Sequence, residues 1–280
     1  MDPFYQYKNR VLELHMLFEY ARNLVSRFEV REDSTWYQRA AILAYQESVD
    51  TAGIALSYLP ESPVQSEIKS FSPQTLASQT RILVDNYLTI GYLLAEKDQD
   101  EEDLQKLVWD QAIDRKRYEM VDQFNPDNPR IDELERSISQ RRKKIRSHRL
   151  FSELDDDSQN NCSNGFRDKI YKNGKIVEML ELDEDSFWSQ YKHYSQFVHS
   201  TAFASDQLEA FRKGRQGSVQ FVSTMVFNFE AIFSMNIFEV SESFGVDSNE
   251  VPLSVLNILL FWKDAMQGNM EDPGPRPEAT

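Results

Sequence analysis

The stretch Arg81-Ile82-Leu83-Val84-Asp85-Asn86-Tyr87-Leu88-Thr89-Ile90-Gly91-Tyr92-Leu93-Leu94 decides the fold. Leu83, Val84, Tyr87, Leu88, Ile90, Tyr92, Leu93 and Leu94 cover most of the circumference of a helix, so that helix belongs at the centre of a helical assembly. Ser72-Pro73 opens it with an N-cap and a proline at the first helical position, and the pattern runs to about residue 97. Nine glycines and ten prolines are too few for the many tight turns of an all-β chain of this length.

Working outward, a first helix is expected over residues 5–28, where Val11, Leu14, His15, Phe18, Ala21, Arg22 and Val25 mark a mostly apolar stripe of helical period. Ser34 is the expected N-cap of a second helix that ends at Leu59-Pro60. The carboxylates of residues 98–103 sit at the positive end of a fourth helix, which runs to about residue 124. Asn125-Pro126-Asp127-Asn128-Pro129 is a turn. Beyond it Ile131, Leu134, Ile138 and Ile145 form a thin seam in a charged helix to about residue 151, the return arm of a hairpin. Residues 155–165 read as a flexible loop. Asn173-Gly174 fits either a β-hairpin turn or the end of a short helix with Gly174 as left-handed cap; the helical reading is favoured because no other strand partner is evident. Asp183 caps the next helix. Arg212 to Gly217 is a basic break before a long apolar helix over residues 218–244, and a last helix covers 252–267. The expectation is an all-α protein, an up-and-down helical bundle over residues 1–270 with a protruding helical hairpin at 98–151. Residues 271–280 are expected to be a disordered tail.

The formal net charge of −15 argues against holding nucleic acid by general electrostatics, though a locally basic groove stays open. Arg141, Arg142, Lys143, Lys144 and Arg146 form the one local positive run. They read as a solvated helix face or as a contact for RNA or an acidic protein surface. One cysteine, Cys162, makes no intrachain disulfide and no thiolate metal cluster, so a reducing cytoplasm is expected. The start of the chain has no apolar signal core. Residues 219–240 are apolar enough to raise a membrane span, but Gln220, Asn228, Glu230 and Asn236 interrupt them. They read as a buried helix, and no membrane partner is expected.

The candidate site centres on residues 186–200. Tyr191, Ser195 and His199 stand at i, i+4 and i+8, which stacks a phenol, a hydroxyl and an imidazole on one ridge. Arg81 and Asp85 lie one turn apart on the central helix and can pair. On the second helix Ala40, Leu43, Glu47, Asp50, Ile54 and Tyr58 follow one stripe that contains two acids. Were these three helices to meet, Glu47, Asp50, Arg81, Asp85, Tyr191, Ser195 and His199 would line a polar cavity, with Arg81, Asp85 and His199 as the catalytic candidates. The same groups also fit a structural hydrogen-bond network that fixes helix register.

The run Ala77-Ser78-Gln79-Thr80-Arg81-Ile82-Leu83-Val84-Asp85, continuing to Leu94, resembles the Arg-containing helix of a domain-of-unknown-function family of bacterial all-helical proteins. Trp109, Arg115 and Arg117 look like that family's later positions, as do Tyr191, Ser195 and His199, and Trp109 joins the candidate pocket on this ground. The resemblance covers about residues 42–204 and implies a helical bundle. Asp85 stands where the family commonly shows Glu. More distantly the chain is similar to the HEPN group, whose ribonuclease members carry Arg and His five to seven residues apart. That spacing occurs here as Arg10 with His15 and as Arg141 or Arg142 with His148, and is absent before His199.

Other chemistries lack their parts. Ser195 and His199 come without a nucleophile elbow or glycine-rich oxyanion loop. No Glu-x-x-His pairs support a di-metal bundle, and there is no P-loop, dinucleotide fingerprint or zinc signature, so no cofactor or metal is implied. The expected function is a helical interaction or accessory protein with a polar pocket that is structural or takes a small ligand, acting with a protein partner or as a homo-oligomer. The alternative is a metal-independent HEPN-like ribonuclease of stress or phage defence, with His as acid or base and Arg steadying the phosphorane charge.

Overall fold

The computed structural model describes residues 3–28, 34–64, 72–198, 206, 209 and 218–269. Among them the protein is an all-α bundle: α1 Pro3–Val25, α2 Trp36–Tyr58, α3 Pro73–Leu94, α4 Gln99–Phe124, α5 Arg130–Ser147, α6 Asp156–Asn164, α7 Asn173–Met179, α8 Glu184–Val198, α9 Ser218–Ser243 and α10 Leu253–Met266. The chain divides into two compact units. The first combines Met1–Leu94 with Val177–Thr280, and the second is Ala95–Ile176. The expected tail at 271–280 and the basic break at 212–217 lie outside the described residues.

In the first unit α3 packs on α2, α8 and α9, while α9 also packs on α1, α2 and α10. α3 is central, as its all-round apolar surface requires: Leu83, Val84, Tyr87, Leu88, Ile90, Tyr92 and Leu93 are all buried. Its partner α9 is equally greasy, and Phe229, Phe233 and Ile237 are completely inaccessible. Of the described helices, Gln220–Ser243 alone is long and apolar enough to cross a membrane, and 67% of its most apolar window is spent inside the bundle. Neighbours run up and down. The Tyr7 hydroxyl reaches the Pro60 carbonyl at 2.8 Å while Tyr45 reaches that of Ala21 at 3.4 Å, so α1 and α2 are antiparallel. α10 is tied to the start of α8 by the Asp183 N–H donating to the Met266 carbonyl at 2.9 Å.

The start of α2 departs from expectation by one residue. Thr35, not Ser34, is the N-cap, because Gln38 stands where it completes a capping box: the Gln38 N–H donates to Thr35 Oγ1 at 3.3 Å and the Thr35 N–H to Gln38 Oε1 at 3.0 Å. The larger correction concerns its buried face. Ala41, Ile42, Tyr45, Ser48, Val49, Ala52, Ala55 and Leu56 point inward, and the stripe with Leu43, Glu47, Asp50 and Ile54 faces outward. Burying that stripe would strand two carboxylates, whereas the opposite face holds only small, apolar or hydroxylic groups.

In the second unit α4 and α5 form the expected hairpin and pair antiparallel, with the Tyr118 hydroxyl on Glu135 near the tip and Arg141 on the Asp110 carbonyl further down. Asp98 caps α4 by accepting from the Glu101 N–H at 2.8 Å. Residues 155–165 are not a loop. They form α6, capped by Asp155, which accepts from both the Ser158 N–H and its hydroxyl. Those bonds hold the Asp155 carboxyl down at about 2. α6 ends at Gly165 with φ +74, a left-handed cap in which the Phe166 N–H reaches back to the Asn161 carbonyl. Cys162 anchors the helix in a cluster with Leu104, Val108, Ile145 and Ile170. The helical reading at residue 173 holds, but Gly174 lies in the first turn of α7 rather than at a C-cap.

Candidate functional site

α3 and α8 cross so that Arg81 lies against the ridge of Tyr191 and Ser195. Antiparallel alignment places the residues two turns along α3 against the second half of α8, where Tyr191 and Ser195 stand, while Gly91 near the end of α3 lies against Leu180 just before α8 begins at its Asp183 cap. The Arg81 guanidinium carbon sits 3.8 Å from the centre of the Tyr191 ring, a close stacked cation–π contact. Arg81 Nη1 donates to Ser195 Oγ at 2.7 Å and Nε to Asp85 Oδ2 at 3.1 Å. A guanidinium carries five N–H donors, and those that Arg81 has left meet no partner among the described residues. Burial raises the Tyr191 phenol above its ordinary range, opposed by the Arg81 cation.

The cluster sits at the edge of the bundle. The Asp85 side chain is 53% exposed and that of Arg81 28%. An ion pair in that setting is worth no more than about 1 kcal/mol, so stability alone gives little reason for it. Its distinctive property is preorganisation: a ring on one side and two hydrogen bonds hold the guanidinium in one pose, and its open donors form a planar fork that matches a carboxylate or phosphate.

Of the expected site residues, Arg81, Asp85, Tyr191 and Ser195 therefore come together. Glu47 and Asp50 do not, since both lie on the outward face of α2. Trp109 lies half-buried on α4 in the second unit, and its placement with the first-unit residues rested on the resemblance alone. His199 is outside the described residues. No group of three or more metal-ligating side chains occurs among the residues described.

Polar groups do meet deep inside the first unit, but they are different ones. Asn86 Nδ2 donates to Ser48 Oγ at 3.2 Å, and the Ser48 hydroxyl faces the Ala44 carbonyl at 3.0 Å and Asn236 Oδ1 at 3.2 Å. Asn236 Nδ2 donates to the carbonyls of Ile232 at 2.8 Å and Leu83 at 3.2 Å. All three residues are buried, and together they join α2, α3 and α9. A second cluster sets Glu230, fully inaccessible, against the Trp262 indole N–H at 2.9 Å and Arg10 at 3.5 Å. The first network is closed on itself, which suits register and not turnover. The signal for the first was present in the sequence: Ser48 lies between Tyr45 and Ala52 on the apolar face of α2.

No protein-family model, curated protein or solved structure matches the chain.

Proposed function

We propose that this is a helical accessory protein of the cytoplasm that binds a small anionic ligand at the α3–α8 crossing. The observation that carries the reading is the Arg81 guanidinium, stacked at 3.8 Å on Tyr191 and steered by Ser195 and Asp85, with donors to spare. Isothermal titration of the intact protein with inorganic phosphate and with citrate tests it. Binding should weaken at least tenfold in Arg81→Lys, which keeps the charge but loses the planar fork and the stack. Absence of heat with both anions, or equal binding by Arg81→Lys, removes the proposal.

A second reading, metal-independent RNA cleavage, draws on the same arginine. Ser195, which Arg81 bonds, is followed four residues later in the sequence by His199, the residue type needed for acid–base work on a phosphodiester. Incubation with total RNA, with and without chelator, should give cleavage that survives the chelator and is lost in Arg81→Ala and His199→Ala. Intact RNA at high protein concentration eliminates this reading and leaves the anion-binding one standing.

A further inference from the structure

Charge is divided unevenly between the two units. Residues 95–176 hold 17 of the 31 Lys and Arg and 19 of the 46 Asp and Glu, a net of −2, so the remaining residues carry −13. Within the second unit the acids crowd residues 98–103 and 153–157, while the C-terminal half of α5 is cationic. Arg141 is spoken for by Asp114. Arg142, Lys143, Lys144 and Arg146 make no ion pair among the described residues, and the last three are exposed.

Beside them α4 and α5 flank a shallow, open cleft of about 230 Å³, lined by Arg115, Tyr118, Glu135, Ile138, Ser139 and Arg142. Arg115 is braced by Glu119 at 2.9 Å through Nε, and Arg142 by the Ser163 carbonyl at 3.3 Å, also through Nε. Both guanidiniums thus keep their terminal nitrogens for something else. The Phe166 ring lies 5.5 Å from the Arg115 guanidinium and is 60% exposed, an apolar face held in water next to that cation. The one carboxylate in the lining, Glu135, already accepts from the Tyr118 hydroxyl at 3.2 Å.

We propose that this cleft and the adjoining ridge of α5 form a contact site for single-stranded RNA. A phosphate lies between Arg115 and Arg142, and the strand continues over Lys143 and Arg146. With Ser139 at i, Arg142 and Lys143 at i+3 and i+4 and Arg146 at i+7, these form one ridge about 10 Å long. An unpaired base stacks on Phe166, which a duplex does not offer. Glu135 accepts from a ribose 2′-hydroxyl, the group that separates RNA from DNA. The site is independent of Arg81 and of whichever function that residue serves.

Fluorescence anisotropy of a labelled oligouridylate with the intact protein, from about 50 to about 200 mM salt, is the test. The wild type should bind and weaken steeply with salt. Arg115→Ala with Arg142→Ala should bind at least tenfold less tightly and lose roughly 1.4 from the log–log salt slope, two contacts at about 0.7 each. Phe166→Ala, exposed enough to leave the fold intact, should cost about 5- to 150-fold with the slope unchanged. Lys8→Ala in the first unit should bind as wild type. The proposal falls if RNA gives no anisotropy change at the lowest salt. It also falls if polyglutamate competes as well as RNA while Phe166→Ala binds normally, which would make the ridge a dock for an acidic protein.

Discussion

Asn236→Ala should destabilise the first unit by about 3 kcal/mol. The side chain is completely buried and supplies two N–H donations, to Ile232 and Leu83, and one acceptor for Ser48. The two N–H donations are worth about 1 kcal/mol each net, while the Ser48 hydroxyl, with one hydrogen, keeps the Ala44 carbonyl as acceptor and adds little to the loss. The two carbonyls keep their own helical N–H partners, so neither is orphaned at full desolvation cost. Removing the amide also leaves a void of roughly 35 Å³, which adds about 0.8 kcal/mol at about 24 cal/mol per Å³. For a chain of this size that corresponds to a fall of about 6–12 °C in Tm. Trp109 is the second unit's one tryptophan, so in a Trp109→Phe background indole fluorescence follows the first unit alone. Combining Ser48→Ala with Asn236→Ala should reveal a coupling of at least about 0.5 kcal/mol. A Tm loss under about 3 °C, or strict additivity, would refute the view that this triad pins α2, α3 and α9 together.

Three further outcomes are expected in the second unit. Burial tends to raise the Asp114 carboxyl, but hydrogen bonds from Arg141 and Ser137 outweigh it and hold the group below its ordinary range. Its contribution is therefore present above the unfolded value of about 4 and disappears as pH falls through the depressed folded value, so Asp114→Asn should flatten the acid limb of a Trp109-monitored stability profile. Gly165→Ala should cost about 2 kcal/mol or more in urea melts, because φ is +74 and the new Cβ would stand 2.8 Å from the Gln111 carbonyl oxygen. The Cys162 thiol, pushed up to about 11 by burial, should react with Ellman's reagent at pH 8 only after denaturant is added; prompt native labelling would contradict its place in the α6 cluster.

Much of the architecture was legible because helix period and capping chemistry are local. The all-round apolar surface of α3, the Ser72-Pro73 start and the Asp98 and Asp183 caps all appear where their residues demand. The face of α2 was not legible, since Leu43 and Ile54 with Glu47 and Asp50 look as amphipathic as the true buried face. What decides is the pairing of Ser48 with Asn86 and Asn236, residues 38 and 188 positions away. α6 was missed because a nine-residue helix rich in Asp, Asn and Ser has poor intrinsic propensity. It is held by the Asp155 cap and by Cys162 beneath it. Spacing put Tyr191 and Ser195 on one ridge and paired Arg81 with Asp85, but that the two meet, and at the bundle's edge, depends on how α3 and α8 cross.

The first unit takes its helices from both ends of the sequence, with 82 residues of the second unit between them. During synthesis, α3 therefore leaves the ribosome with α1 and α2 but without α9, the helix that covers it. Its Tyr87, Ile90 and Tyr92 must wait in contact with solvent or a chaperone while more than a hundred further residues are made, whereas α4 to α6 emerge contiguously and can settle first. On that order of emergence the second unit is complete before the first, whose closure awaits α9.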